Sequence, residues 1–539
     1  MNELVSRVGG LRFRLVLAGL FVFLLSNRSY AATRTPAELQ TAAEKGDPQA
    51  QTEWGVSFHQ KQNYAPAVKW FRLAADQGYA EGQSKLGWCY FHGQGVTQDQ
   101  TAGARWYRKA ADQGLAKAQL NLALCYHQGQ GVATNATEAV KWFRQAADQG
   151  LAVAQSNLGI CLYNGDGIPR DDVEAAEWFR KAAVQDYPEA KAYLGLCYLD
   201  GRGVPRNAIE AVKWLRPAAE SGIARAQSSL GICLLRGRGM AENPVEAVKW
   251  FRQAAAQGEP VAQSNLGACY LNGFGVKPDF AEAVQWLKRA ADQGAAGAQS
   301  NLGACYLRGQ GVTTNFTEAV RLFRLAADQN WPAAQNNLAT CYLEGKGVTK
   351  DYFETVKWLR RAAEQGVAES QSKLGWCYYF GQGVERDYEA AVNWYRQAAD
   401  QGFAKAQHNL GVCYAFGQGA PFNEAEAVKW YRKAAAQDYP EAQHNLGACY
   451  LDGRGVAADP AEAVKWFRKA AASKLPEAQR ALGLCFERGQ GVEQNPVEAL
   501  SWFLQAAVAG DKEAVAAQGR LESQLSAAQI AEARKKAAP

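Results

Sequence analysis

The chain has 539 residues, 48% of them apolar, so it exceeds one ordinary compact domain and has ample material to bury. Its 59 Lys and Arg stand against 53 Asp and Glu, and four of those cations (Arg7, Arg12, Arg14, Arg28) and one acid (Glu3) precede residue 32, leaving 55 against 52 beyond it. A near-neutral, mixed-sign surface excludes an electrostatic footprint for nucleic acid.

Residues 1–31 read as a secretory signal peptide: Arg7, Arg12 and Arg14 lead into an unbroken apolar run, Leu15 to Leu25. That run is shorter than the ~20 residues a spanning helix needs. Ser29-Tyr30-Ala31 puts small residues at the −3 and −1 positions, which places cleavage after Ala31. The alternative is an uncleaved membrane anchor. No cysteine follows the run, so a lipid-modified terminus is not expected, and no second long apolar run follows. The mature chain is therefore expected to be exported, to the bacterial periplasm or the outside, with no stable membrane insertion.

The cysteines then set the organisation. They stand at 89, 125, 161, 197, 233, 269, 305, 341, 377, 413, 449 and 485, every gap being 36 residues. A fixed period of this size marks a stacked repeat array. A variant unit occupies residues 32–78, where Trp54-Gly55 and Trp70-Phe71 fit the pattern with a turn four residues shorter. Twelve full units fill residues 79–510. Residues 511–539 keep a helical pattern but drop the repeat, as a C-terminal cap with a polar outer end at Lys535 and Lys536.

Each unit predicts two helices. In the unit around residues 117–150, Leu122, Cys125 and Tyr126 have helical spacing, and Gly129-Gln130-Gly131 closes the first helix. Gly-x-Gly recurs in all twelve units. The second helix opens at Asn135, in a column that is Asp or Asn throughout, with glutamate three residues later in ten of the twelve units. That spacing predicts an Asx capping box. Trp142 belongs to a column that is tryptophan in eleven units, facing the paired alanines Ala146-Ala147. A glycine such as Gly150 ends the second helix. Where it is missing, a proline two residues on (Pro188, Pro332, Pro440) is expected to stop it. One helix pair cannot bury its apolar face alone, so stability comes from stacking, and twelve units at ~10 Å each predict an arc on the order of 100 Å long.

The motif Ala-x-Ala-Gln-x-x-Leu-Gly-x-Cys-Tyr-x-x-Gly-x-Gly-Val, followed by Glu-Ala-Val-Lys-Trp-Phe-Arg-x-Ala-Ala-x-Gln-Gly, resembles the Sel-one-like repeat (SLR) family, a longer relative of tetratricopeptide repeats, over roughly residues 47–510. The resemblance implies an all-α, right-handed superhelical solenoid of helix-turn-helix repeats and adaptor roles. A branch of that family has two cysteines per repeat joined as disulfides, and some of its members carry a β-lactamase-like label. This chain departs from it with one cysteine per unit. Cysteines one repeat apart sit ~10 Å apart, beyond disulfide reach, so they are expected to be small buried apolar residues.

No catalytic constellation appears. Gly-x-Gly lacks the preceding strand of a phosphate cradle, and no nucleophile-elbow, zinc-protease or kinase signature is present. Glu138, Lys141 and Arg144 recur as a set that reads as capping plus exposed i,i+3 pairs. No cofactor or metal is expected, since the cysteines are strung along the axis and His408 and His444 lie one repeat apart.

By the phase of the first helix, the columns of residues 84, 88, 91 and 92 are expected to line a concave groove. Candidate partner-binding residues there are Trp88, Phe91, His92, His127, Trp376, Tyr379, Phe380, His408, Phe416 and His444, because aromatic side chains dominate interaction hot spots. Packing against the next helix is the competing role for these rings. The expected function is a non-enzymatic scaffold for a protein or peptide partner. The alternatives are a cell-wall or carbohydrate binder, using the aromatic columns beside Asn121, Asn157, Asn265, Asn301 and Asn337, or a β-lactamase-like enzyme.

Overall fold

The computed structural model describes residues 34–537. The expected signal peptide and its cleavage site lie outside the described residues. Within them are 29 α-helices and no strand, most helices being 13 residues long. They are antiparallel pairs, such as Ala116–Gln128 with Ala136–Asp148, stacked as a solenoid. A helix of this length is marginal alone, and the packing of its apolar face holds it. The helices divide into two compact units, one ending at Gln293 and the other beginning at Gly294.

The turns follow the sequence reading in outline. Gly129 closes its helix in the left-handed conformation (φ 70°). The second glycine of the pair does different work: a Cβ on Gly131 would fall 2.1 Å from the carbonyl oxygen of Gln100, so only glycine lets this loop sit on the preceding repeat's second helix. Every Asx in the cap column accepts from a first-turn backbone N–H, as Asn135 does from Glu138 at 3.0 Å.

The other half of the expected capping box is not formed. The backbone N–H of Asn135 already donates to the Tyr126 carbonyl at 2.9 Å, which leaves Glu138 nothing to reach back to. Its carboxylate takes the Trp142 indole N–H instead, at 3.2 Å. The prolines also act otherwise than expected. Asp186, Asn330 and Asp438 themselves adopt the left-handed conformation (φ 64°, 62° and 58°), and each proline begins the next helix.

The deepest ring in a pair follows the tryptophan rather than being it. Phe143 and Phe179 are fully buried, each worth ~1.5–3 kcal/mol in burial. Phe179 lies on the helical Gly159, where a Cβ would fall 2.6 Å from the ring. The Leu-Gly of the first helix is thus a seat for the aromatic side chain of the second.

Two polar ladders join the repeats. The buried Gln371 donates to the Ala363 carbonyl of the preceding helix at 3.0 Å and accepts from Gln401 at 2.8 Å. Gln83, Gln119, Gln263 and Gln407 repeat the arrangement. The arginine column forms the other ladder. Arg360 reaches the Tyr378 hydroxyl of the next repeat at 2.7 Å, and Arg180, Arg396 and Arg432 bond Tyr198, Tyr414 and Tyr450 likewise. The expected i,i+3 pairing holds for the lysine column, as in Lys357–Glu354 at 2.7 Å, but these arginines point along the stack.

Candidate functional site

The groove columns open unevenly. In the unit ending at Gln293, the column of residue 88 is buried at Leu124, Ile160, Leu196, Ile232 and Ala268, and the column of residue 84 at Leu120, Ser156, Ala192 and Ser264. The expectation of an open groove along all four columns is therefore corrected there. In the unit beginning at Gly294, Trp376, Val412 and Ala448 are half-buried, and the column of residue 92 is open at Phe380 and Phe416.

At the first of the two aromatic clusters, Phe91 is 4% exposed and packs among core residues with Tyr107, so its assignment as a partner contact is corrected to a core role. Position 91 sits on the side of the first helix that meets the second. Trp88 is half-buried and His92 exposed; their rings stack at 3.9 Å, and the Trp88 indole donates to Gln94 at 3.0 Å. His127 is half-buried. Burial holds the His92 and His127 imidazoles below their ordinary range. Lys85, one turn before Trp88, is pushed down to about 8 by burial, with the charge of Lys117 adding to it.

The second cluster is the more open. Phe380 is 53% exposed and Phe416, in the same column one repeat on, is 70% exposed. Phe422, before the next helix cap, is exposed as well. Trp376 meets Phe380 at 5.3 Å between ring centres but packs against the core cluster around Leu359 and Leu374. Tyr379 touches Phe380 at 4.9 Å and Tyr388 at 5.1 Å, and its hydroxyl bonds Gln418 of the next repeat.

His408 and His444 sit between helices rather than in the open groove. The His408 ring lies 5.9 Å from Tyr431 and 5.4 Å from Tyr439, and the His444 ring 5.5 Å from Phe467. Burial lowers both from their ordinary value. The amides considered for sugar binding are largely withdrawn: Asn121, Asn157, Asn265 and Asn301 are buried. Phe422 and the glutamine ladder were not anticipated. The constancy of the glutamine column was the available signal for the ladder.

All twelve cysteines are buried free thiols. Burial pushes Cys125 and Cys377 up to about 12 and Cys341 up to about 11, far from the thiolate character a nucleophile or metal ligand needs. No group of three or more His, Cys, Asp or Glu among the described residues is placed to hold a metal ion, and no described helix is long and apolar enough to cross a membrane.

The Sel1 repeat family model matches thirteen consecutive segments, from residues 48–79 to 476–511, so the variant unit before the first cysteine counts as a repeat too. This chain is a Sel1 repeat protein. Among solved structures it is similar to a protective antigen present in uropathogenic Escherichia coli strains that displays an SLR fold, at 37% identity over 80% of this chain and 93% of that one, with a TM-score of 0.64. It is also similar to a Sel1 repeat protein from Oxalobacter formigenes, at 33% identity over 54% of this chain and 87% of that one, with a TM-score of 0.41. No curated protein matches. The Sel1 solenoid is generally a non-catalytic scaffold that binds protein partners.

Proposed function

We propose that this Sel1 repeat protein is an exported scaffold that captures a protein or peptide partner on the face carrying Trp376, Tyr379, Phe380 and Phe416. The observation that carries the reading is the pair Phe380 and Phe416, two large rings held more than half exposed at equivalent positions of adjacent repeats. A rigid stack presents such rings with little loss of side-chain freedom on binding, which favours anchoring. Trp88, His92 and His127 form a second, smaller face of the same kind.

Export rests on the N-terminal residue pattern and on the relative from uropathogenic Escherichia coli. That protein is a protective antigen, a role that fits a location within reach of antibodies.

The test is capture from the native envelope fraction with residues 32–539 as bait and the F380A/F416A variant as control. A protein retained by the first, lost with the second and rebinding after purification supports the reading. Equal retention by both moves the site away from this face. Retention of glycan alone returns the carbohydrate alternative.

A further inference from the structure

His408 lies in the first helix of one repeat, Ala404–Phe416, and Asn445 in the first helix of the next, Pro440–Asp452. The Asn445 amide nitrogen is 3.0 Å from His408 Nε2. With that amide donating, Nε2 is the acceptor and the ring proton sits on Nδ1, facing the Asn409 Oδ1 at 3.3 Å. The neutral ring is therefore built into the joint between two repeats. A second proton, at Nε2, would set two donors against each other. Accepting from a protonated Nε2 would require the Asn445 amide to turn over and present its Oδ1 to the ring.

His444 stands one repeat on in the same column, and among the described residues its Nδ1 finds no hydrogen-bond partner. Charged groups of both signs surround the two rings. On their own helices stand Lys405 and Glu441. The second helices contribute Tyr431 and Phe467, and the following repeats contribute Tyr439, Glu477 and Arg480. Arg480 is itself held by Asp511 at 3.0 Å and Glu513 at 2.7 Å. From the preceding repeat, Lys373 turns away to Glu369 at 2.6 Å. Lys405 and Arg480 thus stand beside Glu441 and Glu477, and a charge on His408 opposes one on His444.

We infer that the stack at Ala404–Phe416 and Pro440–Asp452 is an acid-sensitive joint, loosened when His408 and His444 take up protons. Burial acts in the same direction, lowering both imidazoles. A group whose folded value is depressed stabilises the fold above its unfolded value, ~6.5 for histidine, and that stability is lost as pH falls. The inference does not depend on the partner-binding reading.

The test is amide hydrogen exchange on the full chain at about pH 7.5 and about pH 5, corrected for intrinsic rates, with histidine NMR titration. In the wild type, exchange in these two helices should accelerate about tenfold or more on acidification relative to Pro332–Glu344. H408Q/H444Q should abolish that difference. N445D, which places a carboxylate against Nε2, should raise the His408 titration midpoint and reverse the effect, protecting the joint in mild acid. The N445D comparison decides the matter if the double glutamine variant does not fold. Ordinary midpoints for both histidines, or the same acceleration in the folded H408Q/H444Q protein, overturns the inference.

Discussion

Arg144 pairs with Glu174 at 2.5 Å because position 162, where the next repeat would present a tyrosine hydroxyl, is Leu162. The same exchange occurs at Arg216, which lies 3.5 Å from Glu246 where Leu234 replaces the tyrosine. The arginine column thus always reaches forward along the stack here, and the identity of one residue on the next repeat selects its acceptor.

A double-mutant cycle on Arg360 and Tyr378, using R360M and Y378F, should therefore give a coupling of about 0.5–1 kcal/mol, the range of an exposed charge-assisted bond. Chemical unfolding midpoints supply the measurement. Additive single and double variants would remove the ladder from the stabilising contacts.

The glutamine ladder sets a buried amide between repeats. Q371M removes that amide, while the Ala363 carbonyl keeps the Gly366 N–H at 2.9 Å and the exposed Gln401 keeps the Gln397 carbonyl at 3.4 Å, so about 0.5–1.5 kcal/mol of stability should be lost. The ladder has a natural gap where Lys191 occupies its column, paired to Asp186 at 2.6 Å, and Ser221 replaces the donor. K191Q/S221Q should close that gap and raise the melting temperature, with a net gain of about 1 kcal/mol or less after losing the exposed Lys191–Asp186 pair.

Lys85 should be a site where removing a charge stabilises the fold. Its folded value of about 8 lies below the unfolded lysine value of ~10.4, so its unfavourable contribution is complete below pH 8 and disappears above the unfolded value. K85M should raise stability on the order of 1–2 kcal/mol at neutral pH and have little effect near pH ~10.5. Thermal melts across that range check the sign.

The thiols should be chemically quiet. At about pH 8, native protein should react slowly with a thiol reagent, Cys449, at 7% exposed, being the first to react, and all twelve should react once the chain unfolds. Rapid native labelling of several cysteines, or fewer than twelve thiols after reductant-free unfolding, would contradict buried free thiols.

Among side chains that meet a partner, the sequence located the columns and the structure sorted them. Phe91 and Phe380 both looked like groove aromatics one turn from a cysteine. One lies on the side of its helix that meets the second helix and is 4% exposed; the other, a single position further round, is 53% exposed. A helix turns about 100° per residue, so a one-residue offset separates core from surface. His408 and His444 fell into the right column and the wrong role, because the facing residues Asn445 and Phe467 come from later in the chain.

The sequence by itself determined the period, the helix pair in each unit, the Asx caps and the Gly-x-Gly turns, since each is a local backbone requirement repeated until chance is excluded. Only the tertiary structure decided where a polar side chain finds its second partner. Glu138 could have bonded its own cap, but the Tyr126 carbonyl of the preceding helix takes the Asn135 N–H and leaves Glu138 to Trp142 of its own helix. Gln371 could have faced water and Arg144 could have paired within its helix; each is instead held by a group from another helix or repeat, which only the stack places beside it.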